Sequence, residues 1–255
     1  MGMLLYSERI EIILQQVQLQ SVVRITDLTE LLHVSIDTVR RDLKSMEKNG
    51  LVRCVRGGAC LPNSLTALSD FSGEEIIHID LKREAARKAL RCIHPGDVVA
   101  LNAGTTNTIL AQELAFRNDK ITVITNNLAA VNILMQNSYI HLIVIGGMVD
   151  VIEKATYGRV CENEFSSYYP DIAFLSIDAV DDQEGFTDFR MQEVGVIELL
   201  AQQARQTIVV MDSSRLGKRS QKKVLPLHKV DRLVADDNVP KRLKERYERK
   251  GLLIE

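Results

Sequence analysis

Apolar residues recur three and four positions apart near the start of the chain, the spacing that buries one face of a helix. From about Glu8 to Leu19 this spacing predicts a first helix. A second, shorter helix is predicted after an N-cap at Thr26. Its apolar residues are Leu28, Leu31 and Leu32. A helix this short needs packing partners to be stable.

A third helix is predicted from an N-cap at Ser35 to a stop at Asn49 and Gly50. Its inward stripe is Ile36, Val39, Leu43 and Met46. The turn at His33 and Val34 joins it tightly to the second helix, and such a pair resembles a helix-turn-helix.

Positive charge is confined to the third helix and the segment after it. Six basic residues stand against two acidic ones from Thr38 to Arg56, although the whole chain carries a net charge of -2. The helix face opposite the apolar stripe is polar and suits a major groove. We expect base-edge contacts from Ser35, Asp37, Thr38 and Arg41. We expect phosphate contacts from Arg40, Lys44 and Lys48.

Residues 51–61 alternate β-favouring and basic residues around a Gly-Gly pair, which predicts a hairpin. Directly after the third helix, this hairpin would be the wing of a winged helix. Arg53, Arg56 and Gly57 are therefore added to the predicted DNA contacts. Arginines here suit the DNA backbone or an adjacent minor groove.

Residues 62–74 are small and polar without a sustained period, which predicts a linker between a DNA-binding domain at 1–61 and a second domain at 75–255. In the second domain, strand-length apolar runs alternate with helical segments, the pattern of an α/β fold with a mainly parallel sheet. Predicted strands cover 98–101, 121–125, 140–145, 172–177, 208–211, 232–235 and 252–254, and the last predicted helix covers 240–249.

Polar residues and glycines follow several of these strands, where open α/β sheets bind ligands. After the first strand they precede a helix predicted at 107–116, whose N-terminus attracts anions. The candidate effector residues are Asn102, Gly104, Thr105, Thr106, Thr125, Asn126, Asn127, Gly146, Gly147, Asp178, Glu193 and Lys218. Asp178, Asp181 and Asp182 are interpreted as a solvated acidic loop, so no metal and no cofactor are predicted.

The four cysteines, Cys54, Cys60, Cys92 and Cys161, contain no Cys-x-x-Cys pair and are interpreted as plain thiols. The N-terminal residues lack the features of a signal peptide. No apolar run approaches the roughly 20 residues that span a bilayer. We therefore expect a cytoplasmic protein without a membrane partner.

Thr38-Val39-Arg40-Arg41-Asp42-Leu43 and Arg56-Gly57-Gly58-Ala59 closely resemble the recognition helix and wing of the DeoR family of transcriptional regulators. The second domain resembles the DeoR effector domain through its Gly-Thr-Thr, Thr-Asn-Asn, Gly-Gly, Gly185-Phe186-Thr187 and Asp212-Ser213-Ser214 segments. This resemblance implies a fold similar to ribose-5-phosphate isomerase and coenzyme A transferases, reused to bind a phosphorylated sugar. It also implies a repressor of a sugar uptake or catabolism operon that its effector releases from operator DNA.

The chain departs from the family pattern at several positions. His33 replaces a usual glycine, Asn102 a common aspartate, and Ser176 and Ala179 two glycines. The family usually has a lysine four residues after the position of Glu193, where this chain has Ile197. A basic effector contact is therefore in doubt, with Arg190, Arg215 or Lys218 as candidate replacements.

A ligand-controlled repressor acting as a dimer or tetramer is the function that the sequence favours, and two other functions are alternatives to it. One is a sugar-phosphate isomerase or hydrolase with Asp178 or Asp181 as base. The other is an architectural nucleic-acid binder without a ligand. The winged head argues against the enzyme, and the strand-end pocket argues against the architectural binder.

Overall fold

The computed structural model describes residues 4–20, 22–55, 57–60 and 78–255. It divides the chain into two compact units, Met1–Ile77 and His78–Glu255, which we call the head and the sensor unit. The predicted linker at 62–74 and the predicted wing contact Arg56 lie outside the described residues.

The head is a small helical unit with a three-stranded antiparallel sheet, in the order β1-β3-β2. Its helices are α1 (Tyr6–Gln20), α2 (Ile25–Leu32) and α3 (Ile36–Lys48). Its strands are β1 (Val22–Arg24), β2 (Arg53–Val55) and β3 (Gly58–Cys60). The core includes Ile13, Val17, Leu28, Leu32, Val39, Leu43 and Met46.

Three details of the predicted head were wrong. The N-cap of α2 is Arg24 and not Thr26, because the Ile25 amide donates to Gly57 O (3.0 Å) and so ties the helix start to the wing. Leu31 and Ile36 are 47% and 43% exposed and do not complete the apolar stripes. Strand β1 was not predicted; Val23 pairs with Ala59 and so adds a third strand to the hairpin.

The sensor unit is built around a seven-stranded parallel sheet, in the order β15-β14-β12-β9-β4-β5-β6. These strands are β4 (Val98–Leu101), β5 (Ile121–Thr125), β6 (Ile140–Val144), β9 (Ile172–Leu175), β12 (Gln206–Val210), β14 (Arg232–Val234) and β15 (Leu253–Ile254). The helices are α4 (Ile79–Ala89), α5 (Thr105–Leu114), α6 (Leu128–Leu134), α7 (Arg159–Phe165), α8 (Val194–Gln203) and α9 (Lys241–Glu248). Two apolar clusters contain alternate residues of the same strands, as expected for a sheet covered on both faces.

Two smaller antiparallel sheets were not predicted. One is a hairpin of β7 (Met148–Asp150) and β8 (Ala155–Tyr157). The other, in the order β10-β11-β13, contains β10 (Ala179–Asp181), β11 (Gly185–Asp188) and β13 (Lys222–Leu225). Helix α5 begins at Thr105, two residues before its predicted start, so Thr105 and Thr106 belong to its first turn. None of the described helices is long and apolar enough to cross a membrane.

Candidate functional site

The recognition helix α3 begins at the cap that the sequence predicted. Ser35 has an extended backbone, and its Oγ accepts a hydrogen bond from the Thr38 amide at 3.2 Å. The two hydroxyls also lie 2.9 Å apart. This cap satisfies one of the free amides of the first turn and fixes where the helix starts.

The predicted DNA contacts on α3 are at the surface of the head. Thr38 is half-buried, while the side chains of Ser35, Asp37, Arg40, Arg41, Lys44 and Lys48 are exposed. Arg53 on β2 is also exposed. The opposite face is anchored to α1, since Arg9 donates two hydrogen bonds to buried Asp42 (2.7 and 3.1 Å). The helix thus presents a basic face from a fixed position.

Glycines shape the wing between β2 and β3. Gly57 has a φ of +85°, which a side chain rarely adopts, and it is exposed at the turn. A methyl group at Gly58 would lie 2.1 Å from Val23 O, so only glycine lets β3 approach β1 this closely. Gly57 is therefore available at the surface, whereas Gly58 packs the wing against the head.

In the sensor unit, the polar residues predicted after β4 and β5 lie together at the carboxyl ends of these strands. Asn102 is fully buried; its Nδ2 donates to Ser176 O (3.1 Å) and its Oδ1 accepts from the Ser176 amide (2.7 Å). These bonds connect the ends of β4 and β9. Asn107 Nδ2 donates to Asn102 Oδ1 at 2.9 Å and extends the connection to α5.

The Thr-Asn-Asn segment after β5 connects to the same network. Thr125 Oγ1 donates to Leu101 O (2.7 Å), and Asn127 Oδ1 accepts from the Ala130 amide (3.0 Å) to cap α6. Asn127 Nδ2 also donates to Gly104 O at 3.3 Å. The segment thereby holds the Gly104 loop beside the end of β5.

Glu193 is the acidic residue at the centre of the network. Its side chain accepts hydrogen bonds from Asn126 Nδ2 (2.9 Å) and Asn102 Nδ2 (3.3 Å). Burial raises the pKa of Glu193, against the lowering effect of Arg190 and the two asparagines. Asn126 Oδ1 is buried and accepts no hydrogen bond from any described residue. It is a free acceptor next to a carboxyl group.

Arg190 is buried beneath the Gly104 loop and forms an ion pair with Asp188. Its Nε donates to Asp188 Oδ1 (2.9 Å), while Nη1 donates to Ala103 O and Nη2 to Ser176 O, each at 2.8 Å. All three nitrogens are thus engaged by protein acceptors. Arg190 holds the strand ends together rather than offering a free cation to a ligand.

Gly104 is the close-packed point of this loop. Its φ is +139°, and a methyl group there would lie 2.3 Å from Ser176 Oγ and 2.8 Å from Arg190 Nη1. Both the backbone conformation and the lack of space for a side chain therefore require glycine at this position. It leads directly into Thr105 at the N-terminus of α5.

Lys82 is a site residue that sequence reasoning missed. It is 1% exposed, and its Nζ donates to Thr105 Oγ1 at 3.0 Å. Its ammonium group therefore lies at the positive end of α5, where two sources of positive potential add. Its spacing of three, four and seven residues from Ala85, Ala86 and Ala89 places it on the buried face of α4, but only the tertiary fold brings α4 against α5.

Gly146 and Gly147 follow β6 and approach the β7–β8 hairpin. The Gly146 amide donates to Glu164 Oε2 (3.1 Å), and a methyl group at Gly147 would lie 2.7 Å from Tyr157 O. Thr106 is buried in the first turn of α5. These residues form the surroundings of the network without a described side-chain bond to Glu193.

The acidic residues after β9 are neutralised by cations of the sensor unit. Arg215 forms an ion pair with Asp178, Arg219 with Asp181, and both Arg246 and Lys250 with Asp182. Burial tends to raise the pKa of Asp182, but Lys250 and Arg246 outweigh it and lower the pKa. Lys218 is exposed, and its amide donates to Val180 O at 3.2 Å.

Comparison with known protein families identifies both units. Residues 9–65 match the DeoR-like helix-turn-helix domain, and residues 77–237 match the DeoR C terminal sensor domain. The chain is a transcriptional regulator and belongs to the DeoR family, as its recognition-helix and strand-end motifs predicted.

Named relatives of similar length are transcriptional regulators. The chain is 31% identical over 229 residues to the HTH-type transcriptional repressor GlcR of Bacillus subtilis, covering 90% of this chain and 88% of that protein. It is 28% identical over 232 residues to the HTH-type transcriptional regulator GolR of Listeria innocua, covering 91% of each. An L-fucose operon activator of Haemophilus influenzae is 25% identical over 245 residues, covering 96% of this chain and 98% of that protein.

Similar solved structures include an isomerase and a translation factor. Ribose 5-phosphate isomerase A of Methanocaldococcus jannaschii gives a TM-score of 0.41 at 22% identity, over 54% of each chain. The eIF2B beta subunit of Chaetomium thermophilum gives a TM-score of 0.48 at 14% identity, over 95% of this chain and 70% of that chain.

Proposed function

We propose that the protein is a cytoplasmic repressor of a sugar uptake or catabolism operon, released from operator DNA by a phosphorylated sugar. The head would bind the operator through α3 and the wing. Ser35, Asp37, Thr38 and Arg41 would contact base edges. Phosphates would be held by Arg40, Lys44, Lys48, Arg53, Arg56 and Gly57.

The observation that carries the effector class is the meeting of Lys82 with the N-terminus of α5. A buried ammonium 3.0 Å from Thr105 Oγ1, together with the positive end of a helix, favours an anion such as phosphate. Asn102, Asn126, Asn127 and Glu193 lie beside it and would face the sugar, with Asn126 Oδ1 as a free acceptor for a hydroxyl. Gly104, Thr105, Thr106 and Thr125 would line the same pocket, with Gly146, Gly147, Asp178 and Lys218 at its margin.

Lys82 also suggests how effector binding changes DNA binding. It lies in the first turn of α4, the first element of the sensor unit, only five residues after the head ends at Ile77. A ligand phosphate that draws Lys82 toward itself would bias the start of α4. We further propose a dimer or tetramer, because two heads on two half-sites multiply affinity through effective concentration.

The first experiment is fluorescence anisotropy with promoter DNA of the protein's own operon. Wild type and Arg41→Ala are compared at two salt concentrations, with a panel of sugar phosphates. We expect salt-sensitive binding that Arg41→Ala weakens and that one sugar phosphate releases. Arg205→Ala, an exposed change in the sensor unit, is the matched control. A folded protein without specific binding in any condition would contradict the proposal.

The effector class is tested separately with Lys82→Met. We expect this variant to lose affinity for the sugar phosphate while keeping its affinity for the parent sugar, measured by thermal shift and calorimetry. Lys88→Met on the same helix is the control, because Lys88 pairs with Asp237 instead of approaching Thr105. Equal affinity of Lys82→Met and wild type for the phosphorylated ligand would refute the role of Lys82. A transcription assay with the effector then shows whether control is repression or activation.

A further inference from the structure

Basic residues of the sensor unit are concentrated in two segments. Residues 215–223 contain five Lys or Arg and no acidic residue, and residues 241–250 contain six Lys or Arg against two Glu. Together they hold 11 of the 24 Lys and Arg in residues 78–255, which also contain 24 Asp and Glu. The unit is neutral as a whole, so its positive charge is unevenly distributed.

The two segments lie against each other in the fold. The Gly217 amide donates to Tyr247 Oη at 3.0 Å, and Tyr247 Oη donates to Val180 O at 2.7 Å. The space beside Gly217 is filled by Leu243, whose Cδ1 would lie 3.8 Å from an added methyl group. The segment at 215–223 and helix α9 are therefore neighbours around Gly217, and together we call them the basic surface.

Acidic neighbours neutralise only part of the basic surface. Five of its cations form ion pairs with four carboxylates, which are Asp178, Asp181, Asp182 and Glu184. By contrast, Lys222, Lys241 and Arg242 are exposed and form no ion pair with any described residue. With Asp212, Glu245 and Glu248 included, eleven cations face seven carboxylates, a surplus of four positive charges.

We propose that the basic surface binds the phosphate backbone of double-stranded DNA, in addition to the contacts made by the winged helix. Duplex DNA carries one negative charge per roughly 1.7 Å, a charge density that neutralises such a surplus. The DNA is already held by the same chain, so a second contact is intramolecular and is favoured by effective concentration when both surfaces reach the same duplex. The cations here are long and exposed, without the ordered base-reading face of α3, so the contact would be independent of sequence.

The test compares two triple variants of the full-length protein with matched charge loss. Lys222→Ala/Lys241→Ala/Arg242→Ala removes three of the four exposed cations of the basic surface that form no ion pair with any described residue. The fourth, Lys218, is kept because it lies at the margin of the proposed effector pocket. Arg91→Ala/Lys120→Ala/Arg159→Ala removes three exposed cations from other elements. Binding to operator DNA and to unrelated duplexes is measured by anisotropy across a salt series. Light scattering records the oligomeric state, and thermal melting records folding.

Each phosphate contact contributes about 0.9 to the slope of log K against log salt. We expect the basic-surface variant to flatten this slope by up to about 2.7 per protomer on both DNAs, at unchanged operator preference. The control variant should keep the wild-type slope. Equal slopes in all three proteins, or equal flattening in both variants, would overturn the proposal. So would an unchanged slope with loss of oligomers, which would instead assign the surface to contact between copies of the chain.

The slope of log K against log salt is measured without effector, so this test does not depend on which ligand the protein binds. A protein that binds operator through Arg41 but shows no slope change in the basic-surface variant keeps the proposed function and loses only this inference.

Discussion

Replacing Arg190 with methionine should destabilise the sensor unit strongly, because it leaves a buried carboxylate without its partner. The Asp188 side chain is 0% exposed and that of Arg190 is 6% exposed. Burial alone would lower the pKa of Arg190, but Asp188 more than offsets it and the pKa is raised. The charged pair is therefore the stable form of this site.

The expected cost follows from the geometry of the pair. Breaking a buried ion pair by removing one partner costs about 3–5 kcal/mol. The Ala103 carbonyl also loses its Arg190 donor in Arg190→Met, and the Ser176 carbonyl keeps only the one from Asn102. A change of this size lowers the melting temperature of a unit of this length by about 10 °C.

The assay is urea unfolding and thermal melting of Arg190→Met, Asp188→Asn and the double variant. The double variant should cost clearly less than the two single changes added together, since each single change leaves a partner unpaired. Arg91→Met, an exposed arginine, should stay within about 0.5 kcal/mol of wild type. A cost for Arg190→Met no larger than this, combined with weaker effector binding, would show that Arg190 is a ligand contact and would refute its role in holding the strand ends together.

Three further changes test separate parts of the structure. Ser35→Ala should cost the head about 1 kcal/mol by urea unfolding, whereas Ser35→Asp, which keeps a capping oxygen, should not. Gly104→Ala should lower the melting temperature and abolish the effector response, and Ser176→Gly added to it should restore part of both by removing the 2.3 Å contact. Burial raises the folded pKa of Glu193 above 4.5, so stability present below that pH is lost as pH rises through the folded value. The melting temperature of wild type relative to Glu193→Gln should therefore fall with rising pH, and a constant difference would contradict a raised pKa.

The parts of the fold that the sequence predicted are those determined by local chemistry. Ser35 caps α3 because a serine with an extended backbone can bond the amide three residues on, wherever the helix lies. The strand at Val98–Leu101 was visible because a parallel strand covered on both faces is a continuous apolar run.

The parts that could not be predicted depend on distant residues. Strands β10 and β11 are short and contain polar residues, and only their pairing with each other and with β13 makes them strands. Lys82 has the spacing of the buried face of its helix, but its contact with Thr105 arises only from the packing of α4 against α5. The four acceptors of Arg190 likewise come together only in the folded chain.

Ile197 is one of the positions that depart from the family pattern, and it bears on the charge of the candidate pocket. Ile197 is fully buried within the apolar cluster that contains Phe186, Val196 and Leu200. An ammonium group at this position would therefore face apolar side chains or require their rearrangement, at a substantial desolvation cost. Lys82 places a cation at the N-terminus of α5. Because the positive potential comes from α4 and α5, the loss of a lysine at 197 does not by itself remove the chemistry that an anionic effector needs. In the proposed pocket the anion would then be held from α4 and α5 rather than from α8, which carries Ile197.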